Sequence, residues 1–173
     1  MNLIETERLT LRWMTVEDAA VILELLNDPD WLRYIGDRGV RTLADAQAYI
    51  LTGTIAMYER QGFGLYLAER KPDGAPMGIC GLIKRDFLVD VDLGFAFLPA
   101  FRTQGYARES AAAVMDYARH TLCLRRLVAI TSVDNERSGR LLERLGFRLE
   151  GVIQVPGGGD ARLFEIDLAK ETT

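Results

Sequence analysis

The sequence predicts a single α/β domain over residues 1–173, and three observations carry that reading. At 173 residues the chain is long enough to bury one full core. Segments of alternating apolar and polar residues, the period of a half-buried strand, are interleaved with segments of helical period. Between residues 90 and 133 a strand, a helix and a second strand follow in direct succession, an order that normally makes the two strands parallel neighbours.

The elements follow in order. Leu9, Leu11 and Trp13 alternate with polar residues in "RLTLRW" and give a first strand. Thr15, with Asp18 three places on, has capping-box spacing and opens a helix carrying Ala19, Ile22, Leu23 and Leu26, which Asn27-Asp28-Pro29 closes. "DWLRYIGDRG" reads as a short helical or irregular piece, and "TLAD" repeats the cap before a helix over about residues 43–60. "FGLYLAE" and "MGICGLIKR" form a β-hairpin across the turn chemistry of "KPDG". "VDLGFAFL" adds a further strand, stopped by Pro99, which cannot donate to a ladder. An alanine-rich helix over 105–119 follows, with Ala107, Ala111, Val114 and Ala118 on one face. "RLVAITSV" is the next strand, "NERSGRLLERLGF" a helix ending at Gly146, and "FRLEGVIQV" and "RLFEIDLA" a closing hairpin around "PGGGD". The predicted order is β-α-α-β-β-β-α-β-α-β-β, with no linker and no internal repeat.

Composition removes several function classes. A net charge of −4 argues against a general nucleic-acid binder. The apolar runs fall far short of the roughly 20 residues of a membrane span. "MNLIETERLT" lacks the apolar core of a signal peptide. Cys80 and Cys123, in apolar surroundings and without paired spacing, read as reduced core residues of a cytoplasmic protein. With one histidine, His120, a zinc site cannot be assembled from it and the two cysteines at these spacings. At the tail of a helix, His120 reads as a surface or dipole-complementing residue rather than the base of a Ser-His-Asp hydrolase. No GxxxxGK[ST] or GxGxxG occurs, which counts against nucleoside-triphosphate and dinucleotide folds.

The stretch "FRTQGYARES" (101–110) is different. It opens a helix with one acid, Glu109, although helix first turns normally favour acids. Four amide N–H groups at a helix start have no partner inside the helix. If Thr103, Gln104, Gly105, Tyr106 and Ala107 curl into a nest, these donors converge on an anion and the helix dipole adds to the attraction. Gly105 removes a side chain at the closest approach, Ala107 keeps the shoulder small, and Arg102 and Arg108 could bond a phosphate. The segment also lies beyond the carboxyl end of a strand in a crossover, where such sheets collect ligands. The pattern suits a pyrophosphate.

Three blocks in order and spacing resemble the GNAT superfamily of acetyl-coenzyme A dependent N-acetyltransferases, nearest the branch of Rim-type acetyltransferases of ribosomal-protein N-termini. They are "IETERLTLRWMTVEDAAVILELLND", "VDLGFAFLPAFRTQGYARES" and "DNERSGRLLERLGFRLEG". The loop Arg102 to Ala107 matches the family's Q/R-x-x-G-x-G/A pattern at its first, fourth and sixth positions. The resemblance implies the family's fold: a mixed sheet of about seven strands flanked by helices, its fourth and fifth strands splayed around the cofactor. It implies that the 102–107 amides hold the coenzyme A pyrophosphate and that backbone at Phe97 and Leu98 pairs with the pantetheine arm. It implies that Asn135 contacts the pantetheine, a role compatible with helix capping, and that Ser138 lies near the thioester sulfur.

Where many members carry a tyrosine as acid, this chain has Leu142; Ser138 is then the acid candidate, or a hydrogen-bond donor to the sulfur. Asp92, two residues before Gly94, is the base candidate; its alternative role is to orient the amine or pair with an arginine. The expected activity is acetyl transfer to a primary amine (a protein N-terminus, an amino acid or a small amine) by direct attack, with no acyl-enzyme because both cysteines read as buried. Trp31, Arg33, Tyr34 and Arg38 are candidate acceptor contacts, with core packing as their other reading. A homodimer is allowed for, and a non-catalytic acyl-coenzyme A binding module of the same fold is the competing class.

Overall fold

The computed structural model describes residues 2–169. Alternation of apolar side chains draws eight strands into one sheet: β1 (Asn2–Glu5), β2 (Leu9–Trp13), β3 (Leu65–Arg70), β4 (Pro76–Ile83), β5 (Asp92–Phe97), β6 (Arg126–Ser132), β7 (Arg148–Gln154) and β8 (Asp160–Asp167). Their order is β1-β2-β3-β4-β5-β6-β8-β7. Every neighbouring pair is antiparallel except β5 and β6, the parallel pair that the crossover pattern predicts.

The sheet exceeds the expected seven strands by β1. "NLIE" is too short to show a period, and its ladder with β2 shifts register between Asn2 and Ile4, so only the pairing defines it.

Helices cover both faces. Thr15 and Thr42 form capping boxes with Asp18 and Asp45, opening the turn before α1 (Ala19–Leu26) and α3 (Leu43–Tyr49). Between them lies α2 (Pro29–Tyr34), capped by Asp28 with Pro29 in its first turn. The predicted helix over 43–60 is continuous in path but changes character. A π-helical stretch, Ile50–Ile55, separates α3 from α4 (Ala56–Gln61) where Thr52, Gly53 and Thr54 lower helix propensity. Ile22, Leu25, Leu26 and Ile50 pack with Leu67, Ile79 and Leu98 on one face of the sheet. On the other face, Ala111, Val114 and Ala118 of α5 (Tyr106–His120) meet Tyr66, Leu127 and Phe164. The remaining helix, α6 (Glu136–Arg144), buries Gly139 and Leu142.

Two glycines in β4 set how closely the central strands approach. A side chain at Gly81 would collide with the Gly64 carbonyl oxygen, and one at Gly78 with that of Ala96. The parallel seam is different. β5 and β6 share one residue pair, Asp92 with Val128, whose N–H donates to the Val91 carbonyl at 2.9 Å. Beyond that point the strands part.

Candidate active site

The splay leaves one edge of β5 without a strand. Leu98 N–H donates to the Met77 carbonyl at 2.9 Å, so alternation directs Ala96 and Gly94 toward β4. Backbone groups of Phe95 and Phe97 then face the gap. This refines the expectation for residues 97–98. The Leu98 N–H is used inside the sheet, the Phe97 carbonyl accepts from Arg102 Nε at 2.9 Å, and Phe95 joins Phe97 on the open edge.

At the end of that edge lies the 102–107 loop. Thr103 and Gly105 take left-handed backbone, with φ of 60° and 84°. A threonine adopts this conformation at a cost, whereas glycine does so freely. The turn leaves α5 with no side-chain cap, and Glu109 N–H is the first to find a helical acceptor, the Gly105 carbonyl at 3.0 Å. Among the described residues the amides of 103–108 donate no hydrogen bond, which leaves a run of unpartnered donors at the start of α5.

The side chains of the loop turn to its own frame. Gln104 Nε2 donates to the Ala100 carbonyl at 2.7 Å, Thr103 Oγ1 to the Arg102 carbonyl at 2.7 Å, and the Tyr106 ring is buried under the Arg8 guanidinium. Glu109 accepts from Arg8 Nε and Thr6 Oγ1, both at 2.6 Å, facing the β1–β2 turn. Burial raises its pKa, but these bonds prevail and hold it below the usual carboxylate range.

Arg102 departs from the sequence reading. Its guanidinium is committed to Asp28 at 2.5 Å, Asp30 at 3.0 Å and the Phe97 carbonyl, tying the loop to the start of α2. Arg108, in the first turn of α5, is exposed.

Asp92 opens β5 at the point where the strands diverge, 2% exposed. Its Oδ2 accepts from Arg85 Nε at 2.6 Å. Burial pushes its pKa up to about 6; the Arg85 charge and hydrogen bond, and a backbone bond from Ile130, oppose that rise without cancelling it. Opposite, α6 begins at Asn135, whose Oδ1 accepts from Ser138 N–H at 3.2 Å, the capping role the sequence allows. Arg162 Nη2 donates to the Asn135 carbonyl at 2.8 Å and lies where a side chain at Gly139 would stand. Asp92, Asn135, Ser138 and the buried Leu142 line one cleft of about 920 Å³; Phe97, Leu98 and the 102–107 loop lie outside its lining. Two buried polar atoms of cleft-lining residues, Trp31 Nε1 and Thr131 Oγ1, have no partner among the described residues.

A family model for the acetyltransferase (GNAT) domain matches residues 8–148. The chain belongs to the GNAT family. One relative is YoaA of Bacillus subtilis (strain 168), described as an uncharacterized N-acetyltransferase, 29% identical over 154 residues covering 88% of this chain and 86% of the relative. A GNAT acetyltransferase from Bacillus anthracis superposes with a TM-score of 0.79 at 24% identity, covering 96% of this chain and 99% of the other. RimL, a ribosomal L7/L12 alpha-N-protein acetyltransferase in complex with coenzyme A, superposes with a TM-score of 0.80 at 19% identity, covering 94% and 95%. At these identities the structural likenesses show the shared GNAT fold.

Within this GNAT domain the cysteine reading needs one correction. Cys80 is buried, its thiol pushed up to about 12 by burial. Cys123, however, is exposed. It sits in the turn after α5 with φ of 55°, where the chain reverses and its side chain leaves the core. It does not line the cleft. Trp31, Arg33, Tyr34 and Arg38 do line it, joined by Tyr49, Arg60 and Arg85, which the sequence reading did not single out. Nothing in "LIKRD" announces that Arg85 meets Asp92, because the pairing depends on how residues 84–91 fold back.

Proposed function

We propose that this GNAT domain transfers the acetyl group of acetyl-coenzyme A to a primary amine, with both reactants bound together. The motif blocks nearest the Rim-type branch support a protein N-terminus, an amino acid or a small amine as acceptor. The carrying observation is that the cleft holding Asp92 and Ser138 sits where β5 and β6 part, on the strand that leads to the unbonded amides of 103–108.

These groups fit coenzyme A: the nest and the α5 N-terminus suit its pyrophosphate, and the open edge at Phe95 and Phe97 suits an amide-bearing arm. Acetyl-coenzyme A supplies the activated acyl group. Asp92 is ionised above pH 6 and takes a proton from the acceptor ammonium, directly or through water. Arg85 fixes its carboxylate. Ser138 Oγ has no hydrogen-bond partner among the described residues and is available to donate to the leaving thiolate. Leu142, 1% exposed, offers no proton and closes the wall against water. Cys80 is held as a thiol and Cys123 does not line the cleft, so the amine attacks without an acyl-enzyme.

Release of free thiol from acetyl-coenzyme A on addition of an amine panel tests the reading. Amine-dependent release is expected, with Ser138→Ala lowering kcat about tenfold at unchanged KM for acetyl-coenzyme A. Stabilisation by coenzyme A without amine-dependent release would instead make this a binding module.

A further inference from the structure

The ion pairs around the cleft leave its charges unevenly partnered. Of the carboxylates that line it, Asp92 is paired with Arg85 at 2.6 Å, Asp134 with Arg33 at 3.4 Å, and Asp37 with Arg41 at 2.6 Å. Asp160, exposed at the tip of the closing hairpin, is the lining carboxylate without an arginine. Two lining cations, Arg38 and Arg60, form no ion pair among the described residues. Unpaired positive charge therefore exceeds unpaired negative charge in a cleft whose proposed acceptor is itself cationic as it arrives. A polyamine would meet the reverse of the charge it needs.

One of these cations, Arg38, also connects to the proposed base. The charges of Arg38 and Arg85 both act on the Tyr49 hydroxyl. Arg85 in turn holds Asp92. The run Arg38, Tyr49, Arg85, Asp92 leads from the cleft mouth to the point where β5 and β6 part. The π-helical stretch beside it contributes Gly53, whose missing side chain faces open space.

Resting on the transfer reading above, we infer that the acceptor amine carries an anionic group, a carboxylate in the simplest case, which Arg38 and Arg60 receive at the mouth while the amine reaches Asp92. The carboxylate belongs either to a free amino acid or to an acidic side chain beside a peptide N-terminus.

Matched acceptors test this: an α-amino acid against its carboxamide, a short peptide amide with Glu against Gln at its second residue, and a linear diamine. In kcat/KM the anionic member of at least one pair is expected to lead by about tenfold or more, the effect of one charge-assisted hydrogen bond. The diamine is expected to be poorest. The first pair reports a free amino acid, the second an acidic peptide. Arg38→Ala and Arg60→Ala are expected to bring the ratio toward one through KM for the anionic acceptor, and Arg38→Lys to restore part of it. Equal or inverted ratios, or ratios untouched by both alanine variants, overturn the inference and leave acetyl transfer standing. No turnover with any acceptor removes the transfer reading and this inference together; a thermal shift with coenzyme A then still reports the cofactor site.

Discussion

Asp92 joins burial to chemistry. A buried carboxylate held by one arginine, its pKa raised to about 6, would serve the proposed transfer as a base just below neutrality. Activity should therefore rise through about pH 6 and level off above it. Asp92→Asn should erase that limb and lower kcat/KM by roughly 10²–10⁴, measured in a pH–rate profile. The same burial makes a stability statement. The folded pKa of about 6 lies above the unfolded value of about 3.9, so the folded state holds this proton more tightly. The stability this confers is complete below the unfolded value and is lost as pH rises to about 6. The difference in Tm between Asp92→Asn and the parent should thus shift in favour of the variant between pH 4 and pH 8, read by thermal unfolding. The position of Asp92 was legible from its spacing to Gly94; its arginine was not, because Arg85 reaches it by the fold of an irregular loop.

The opening of α5 was legible as an element. Gly105 and the small Ala107 marked where the helix starts, and the amides of 103–108 stand unbonded there, as the proposed anion site requires. The side chains were less so. Arg102 lies 74 residues from Asp28 in sequence, and no local pattern distinguishes an arginine that meets a ligand from one that meets a distant carboxylate. The two roles predict different things. As a strut, Arg102→Ala should cost roughly 3 kcal/mol in chemical denaturation, because Asp28 would stay buried without its partner. As a phosphate ligand it would instead raise KM for acetyl-coenzyme A at little cost in stability. Strand β1 escaped sequence reading for the same reason: four residues carry no period, and the partner β2 creates the strand.

Across the whole molecule the sheet is one object hydrogen-bonded at its centre through a single parallel pair, Asp92 with Val128. The succession of elements, the β3–β4 and β7–β8 hairpins and the parallel crossover pair were legible because each follows from periodicity and connection rules. The splay was implied only through family resemblance, since divergence is set by side chains on both faces. Hydrogen exchange should find the amides of 103–108, with those of Phe95 and Phe97, fast in the free protein and slowed by coenzyme A, while the β3–β4 ladder is unchanged; protection spread evenly over the sheet would count against the seam as the cofactor site. The Arg102 strut then has a meaning beyond stability. It fastens the 102–107 loop to the cap of α2, and α2 carries Trp31, Arg33 and Tyr34 into the wall of the cleft. A ligand that displaced the loop would pull on that wall, and one that pressed on the wall would strain the loop. Two occupants that share no contact residue would sense each other through this lever, each changing the other's affinity by the same factor.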